Sequence, residues 1–334
     1  MKVLVTGANG LLGHNIIARL LEQNHEIHAI VRDAGKMHIK ADRLRVFEGS
    51  FLNYSDLYEA AKGCEAVIHA AGTTDMSPLK YSYYENIIAD GSKNVLRVCE
   101  ERKIRRIVYI STANTIGYGT SDAHADETEP MKYPFSKSYY AMAKAKAESL
   151  FLAKAEDSEN HVVIVNPTFM LGAYDTKPSS GEMFLTGYGK RIVAIPKGGK
   201  NFVHVGDVAA AAVNAMMMGV SGQRYIAGNR NLSLKEFYFL QKTVCGTPAR
   251  IVLLPDFILK VVGCMGDMLR KIGIPAVFSR VNLDQLSVLE YYSCEKAIEG
   301  LNMPQTPIET AIYDTYKWFV GTGKIKSSKK ESVK

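Results

Sequence analysis

The segment TGANGLLG (Thr6–Gly13) stands between an apolar run, Lys2–Thr6, and a stretch in which Leu12, Ile16 and Leu20 recur at helical spacing. Glycines at 7, 10 and 13 allow a tight turn and a close backbone approach. The helix that follows offers unpaired N–H groups and the positive end of its dipole. A strand, turn and helix in this order suit a pyrophosphate. The spacing is G-x-x-G-x-x-G rather than G-x-G-x-x-G, so an ordinary glycine-rich βα turn remains the competing reading.

The rest of the first half keeps the same alternation. Glu26–Val31, Arg45–Glu48, Ala66–Ala70, Arg106–Ser111 and His161–Asn166 read as strands, with helices around Ile87–Arg102 and Ser138–Ala155. Apolar runs alternating with helical patterns predict an α/β fold: a Rossmann-type, doubly wound parallel sheet. After Pro167, the prolines and glycines of Thr168–Lys200 predict a loop-rich pocket wall, and Val203–Met218 returns as strand then helix. The expected division is a nucleotide domain of residues 1–167 plus 203–218, with a smaller, mostly helical substrate lobe of 168–202 and 219–321. A basic, disordered tail of 322–334 follows.

Composition narrows the class. Hydrophobic residues at 47% and charged residues at 22% exclude a disordered chain. The net charge of +7 invites a nucleic-acid reading, but Thr322–Lys334 alone holds five lysines and one acid. A near-neutral body with a basic end is not a nucleic-acid footprint. Five cysteines, widely spaced and without a Cys-x-x-Cys pair, fit reduced thiols in a cytoplasm. The longest apolar stretch, Val203–Val220, contains His204, Asp207 and Asn214, so no transmembrane segment is expected.

Two further patterns carry chemistry. The second strand ends in Val31-Arg32-Asp33, with Lys36 behind it. An acidic residue at that tip would bind a ribose 2′-hydroxyl, whereas Arg32 and Lys36 suit a 2′-phosphate, so NADP(H) is expected ahead of NAD(H). Tyr140-Ala-Met-Ala-Lys144 places a phenol and an ammonium on one helix face, where the cation favours phenolate and makes the tyrosine a usable proton donor and acceptor. Tyr133-Pro-Phe-Ser-Lys137 is a rival, with Pro134 setting it at the helix opening.

TGANGLLG, VIHAAG (Val67–Gly72), YISTA (Tyr109–Ala113), Tyr140-x-x-x-Lys144 with Ala147–Glu148, and IVNPTFMLG (Ile164–Gly172) follow one another in order. In this the chain resembles the extended short-chain dehydrogenase/reductases, the NAD-dependent epimerase/dehydratase family, from Met1 to about Gly323. Spacing to Ala147–Glu148 and to Pro167 favours Tyr140 over Tyr133. The resemblance implies Thr112, with Ser111 as fallback, beside Tyr140 and Lys144 as the catalytic set. It implies a cofactor cradle of Gly7, Asn9, Gly10, Leu11, Leu12 and Gly13. Arg32, Lys36, Ser50 and Phe51 would serve the adenosine end, and Ala70, Ala71, Gly72 and Pro167 would complete the site. Ser50 and Phe51 replace a common adenine-binding Asp, and Ile88 a common Asn.

Among branches of that family, 4,6-dehydratases carry an Asp–Glu pair after the active Thr; here Ala113–Asn114 stand there. Epimerases usually carry an arginine where Lys200–Asn201 stand, and are weakened. Dihydroflavonol-4-reductase-like and 3β-hydroxysteroid-dehydrogenase-like ketone reductases fit best, because Thr73–Tyr84 and Thr168–Ile195 are rich in Met, Phe and Tyr and hold only Arg191. The expected reaction is reduction of a small apolar ketone or aldehyde. The alternatives are an epimerase or a catalytically silent NADP sensor. His14, His69 and His204 read as packing rather than metal ligands, and the resemblance allows a homodimer.

Overall fold

Apolar runs without alternation must be buried on both faces, and a parallel sheet between two layers of helices does this. In the computed structural model, which describes residues 1–276 and 278–327, thirteen strands form. They are β1 (Lys2–Thr6), β2 (Glu26–Val31), β3 (Leu44–Glu48), β4 (Ala66–His69), β5 (Arg106–Ile110), β6 (His161–Pro167), β7 (Phe169–Leu171), β8 (Ile192–Ile195), β9 (Gly199–His204), β10 (Arg224–Ala227), β11 (Arg230–Ser233), β12 (Arg250–Leu253) and β13 (Leu289–Glu290). The central sheet has seven strands in the order β10-β6-β5-β4-β1-β2-β3, all parallel. The order reverses at β1 and β4, and such a switch point opens a crevice at the carboxyl edge of the strands.

The helices are α1 (Leu11–Glu22), α2 (Tyr54–Ala60), α3 (Tyr81–Tyr84), α4 (Gly91–Glu101), α5 (Tyr139–Ala155), α6 (Gly181–Gly187), α7 (Val205–Met218), α8 (Leu234–Cys245), α9 (Asp256–Lys271), α10 (Arg280–Ser287), α11 (Glu295–Gly300) and α12 (Ile308–Gly321). Side chains alternate across the sheet. Val3 and Val5 pack with α1 and α7, and Leu4 packs on the opposite face with α2, α4 and α5. The alanines of α7 keep it close to α1. A π-helical stretch, Glu85–Asp90, joins α3 to α4 where the sequence reads as an uninterrupted helix.

The second lobe is less purely helical than its sequence suggests. β9 pairs antiparallel with β11 and parallel with β7 and β13, while β8 pairs with β12. Phe184, Phe202, Phe237 and Phe319 fill its core, with Phe202 and Phe237 stacked at 4.5 Å. Two boundaries differ from expectation. Arg224–Ala227, assigned by sequence to the lobe, extends the nucleotide sheet, because Tyr225, Ile226 and Ala227 are buried against β6 and its neighbours. The expected tail begins later than Thr322: the Lys324 and Ile325 N–H groups donate to Phe319 O, and the Tyr188 hydroxyl donates to Lys326 O at 2.8 Å. Residues 328–334 of that tail lie outside the described residues.

Candidate active site

The glycine turn is built as its spacing requires. Gly7 has φ +69°, and a Cβ there would lie 2.7 Å from the backbone of Ala70 and Ala71. At Gly13 a Cβ would lie 2.1 Å from the Gly7 carbonyl oxygen. Glycine thus lets the β1 turn nest against the β4 tip and the first turn of α1. Gly10 caps α1 with no side-chain hydrogen bond, so its first N–H groups keep their capacity for an anion. A shared hydrogen bond ties the β1 and β4 tips: Thr6 Oγ1 to His69 Nδ1, 2.6 Å. Burial, and then the charge of Lys144, push the His69 pKa down to about 3. An uncapped helix start behind a cradle that a Cβ would fill fits a dinucleotide pyrophosphate.

At the β2 tip the Arg32 guanidinium is exposed, with no hydrogen bond or ion pair among the described residues. Lys36 differs. Its ammonium pairs with Asp33 at 2.7 Å, holding the Asp33 carboxyl below its usual range, while Asp33 caps the short 3₁₀ turn Ala34–Lys36. The pair is exposed and exchangeable. After β3, Ser50 N–H donates to Asp56 and Ser50 Oγ accepts from Leu52 N–H. Phe51 packs between Gly91 and His69. His38 N–H donates to His14 Nε2, and His14 stacks on Tyr174 at 4.9 Å; this group beside the loop has no sequence signal beyond the histidines themselves.

Thr112 follows β5, and Tyr140 and Lys144 lie one turn apart on α5. The Thr112 hydroxyl interacts with the Tyr140 phenol, yet burial dominates and raises the phenol to about 12. Lys144 is buried, which lowers its ammonium to about 8 against the opposing pull of Glu148. Its Nζ donates to Ile110 O at 2.8 Å and lies over the Tyr109 ring. A Cβ on Gly72 would sit 3.7 Å from that Nζ, so the ammonium stands at the β4 tip as well. The expectation that Lys144 lowers the tyrosine pKa is not realised in the chain by itself: desolvation of the phenol outweighs every other influence.

Under these residues runs a buried polar network. Asn166 Nδ2 donates to Thr112 O, Thr115 Oγ1 and Glu148 Oε2. Thr115 donates to Glu148, and Arg224 pairs with Glu148 at 3.3 Å. The sequence marked Glu148 only as a companion of Lys144; its spacing of four residues, which places both on one helix face, was the available signal. Ser111 is buried without a hydroxyl partner among the described residues. Pro167 is buried at the end of β6, paired with Ala227.

The rival tyrosine lies elsewhere. Tyr133 precedes the 3₁₀ turn Phe135–Lys137, is half exposed, and its hydroxyl bonds to Asp284 of α10. Several apolar residues expected to line the pocket are packed inside instead: Tyr84, Phe184 and Ile195 are at most 3% exposed. Lys200 pairs with Glu290 in the lobe interior, and Asn201 bonds to Asn231 and Thr168. The depression of about 390 Å³ near Lys2 and Gly63 lies at the amino end of the strands, opposite these groups.

Residues 3–228 match the NAD dependent epimerase/dehydratase family. The chain belongs to that family. It is an NAD(P)-dependent oxidoreductase of the extended short-chain type. A Synechocystis protein named for dihydroflavonol 4-reductase is 28% identical over 97% of this chain and 96% of its own length. The mouse sterol-4-alpha-carboxylate 3-dehydrogenase, decarboxylating, is 25% identical over 89% of this chain and 84% of its own. The crystal structure of gox2253 superposes with a TM-score of 0.83 at 25% identity, covering 97% of this chain and 99% of the other. Among the described residues no helix is long and apolar enough to cross a membrane.

Proposed function

We propose that the protein reduces a ketone or aldehyde on a small, largely apolar substrate, or oxidises the corresponding alcohol, with NADP(H) and with Tyr140 as acid and base. One observation carries the reading. Thr112 and Tyr140 bring two hydroxyls together at the carboxyl edge of the sheet, while Lys144 reaches the β4 tip beside the glycine turn.

When bound, the nicotinamide cofactor supplies or accepts the hydride. Gly7, Gly10 and Gly13 leave room for its pyrophosphate, and Arg32, with Lys36 behind it, meets the 2′-phosphate. Lys144 spends one donor on Ile110 and keeps others for a ribose hydroxyl. Tyr140 and Thr112 hydrogen-bond the carbonyl oxygen, and Tyr140, held protonated by burial, gives it the proton. Pro167, at the end of β6, would stand beside the nicotinamide. The network of Asn166, Thr115 and Glu148 fixes the Thr112 backbone.

An apolar substrate is supported by relatives named for a dihydroflavonol and a sterol carboxylate. An epimerase is disfavoured because Lys200, where a pyrophosphate-binding arginine would be wanted, is committed to Glu290. Five widely spaced cysteines without a Cys-x-x-Cys pair suit a cytoplasmic enzyme, and pairing of two copies through α4 and α5 remains part of this reading. The test is NADPH oxidation against a panel of ketones, aldehydes and steroids. Turnover of an apolar carbonyl is expected; silence across the panel with retained NADPH binding would leave a sensor instead.

A further inference from the structure

A helix on a water-soluble protein turns its apolar stripe inward. Helix α9 does the reverse. Its inner face is glycine: a Cβ on Gly266 would lie 1.9 Å from the Phe278 carbonyl oxygen, and one on Gly263 2.9 Å from Arg280 Cα. That close packing leaves Phe257, Val261, Met265, Met268 and Ile272 on the outer face, each between 56% and 68% exposed. Their spacing places all five on one stripe about a quarter of the helix wide. Phe278, 60% exposed, continues the apolar surface into the next segment.

Positive charge is concentrated in two segments of the sequence, and α9 lies in one of them. Arg250–Arg280 holds five basic residues and two acids, and Thr322–Lys334 five and one; the rest of the chain is balanced at 31 of each. Lys260 and Lys271 flank the stripe on one side at helical spacing, both exposed, and Arg280 opens α10. Of the acids nearby, Asp267 accepts from the Arg280 N–H, Asp284 lies 3.9 Å from the Arg280 guanidinium and Asp256 sits in the first turn, so Lys260 and Lys271 are the cations beside the stripe. Arg270 is turned inward, donating to Ala276 O and to Pro78 O in the segment after β4.

We propose that α9 is an interfacial helix that seats this protein on an anionic lipid bilayer. The stripe enters the boundary between headgroups and acyl chains, and Lys260 and Lys271 meet lipid phosphates. A second copy of the chain is the poorer occupant, because an antiparallel two-fold contact would bring the lysine-bearing flanks of the two copies together. Apolar contact and positive charge supply the two signals that stable attachment of a soluble protein requires. The inference is independent of the reaction assigned to Tyr140.

The experiment is flotation of the full chain with vesicles of phosphatidylcholine, with and without phosphatidylglycerol, alongside light scattering in solution. The chain should float with the anionic vesicles and remain behind with the neutral ones. Met265→Ser/Met268→Ser/Ile272→Ser should abolish flotation with the solution mass unchanged. Lys260→Gln/Lys271→Gln should weaken it, roughly fivefold for each charge removed. Failure of the parent chain to float, or equal flotation of the serine variant, overturns the proposal. A halved solution mass for the serine variant also overturns it, and makes the stripe an interface between copies.

Discussion

Lys144 spans from α5 to the last residue of β5, its Nζ donating to the Ile110 carbonyl oxygen at 2.8 Å. That bond fixes the ammonium in a buried position where its charge is expensive, and its pKa falls to about 8 as a result. The charge state of Lys144 therefore changes within the working pH range, while Tyr140, raised to about 12, stays protonated through it.

A pH dependence follows. The charged lysine exists below its pKa, so kcat/KM for carbonyl reduction should hold at neutral pH and fall as pH rises through about 8. Lys144→Arg, which stays cationic, should move that falling limb upward. A profile flat to pH 10 in the parent chain would remove Lys144 from the step.

Tyr140→Phe should lower turnover by about 10² to 10⁴, with NADPH affinity within about threefold of the parent chain, because only the acid is lost. Tyr133→Phe should leave turnover nearly unchanged, since its hydroxyl serves Asp284. Steady-state rates paired with fluorescence titration of NADPH separate the two. A dead Tyr133→Phe would move the site.

Arg32→Ala should weaken NADPH binding by roughly 10- to 100-fold, the worth of hydrogen bonds to a charged phosphate, and leave NADH binding almost untouched. Tighter binding of NADH than NADPH to the parent chain would refute the 2′-phosphate role outright.

Glu148→Ala should destabilise the fold by about 1–3 kcal/mol. It leaves the partly exposed Arg224 with the Glu127 carbonyl oxygen and removes the acceptor shared by Asn166 and Thr115. Chemical denaturation reads this directly. A loss under 1 kcal/mol would mean that water replaces the carboxylate and that the network does not hold Thr112.

Local patterns made much of this protein legible. The apolar runs foretold β1, β2, β4, β5 and β6 because a doubly buried strand needs no alternation, and the glycine turn foretold its own close approach to Ala70. The Tyr140–Lys144 spacing foretold one shared helix face. Family order then singled out Tyr140, a choice the Tyr133 contact with Asp284 accompanies.

Other features depend on residues far apart in the chain. Nothing near Lys200 shows that it pairs with Glu290, and nothing near Arg224 shows that its strand joins β6 or that its guanidinium reaches Glu148. The phenol's pKa likewise follows from what the surrounding elements exclude. Periodicity in α9 identifies an amphipathic helix but not which face looks outward; Gly263 and Gly266, packed on the chain at Phe278 and Arg280, decide that. The sequence by itself determined the sheet, the glycine turn and the helix that carries the phenol, since each is written in short-range spacing. Tertiary structure alone decided which charges are paired, which aromatics are core and which apolar face is left to water, because burial is a property of the neighbours a residue acquires.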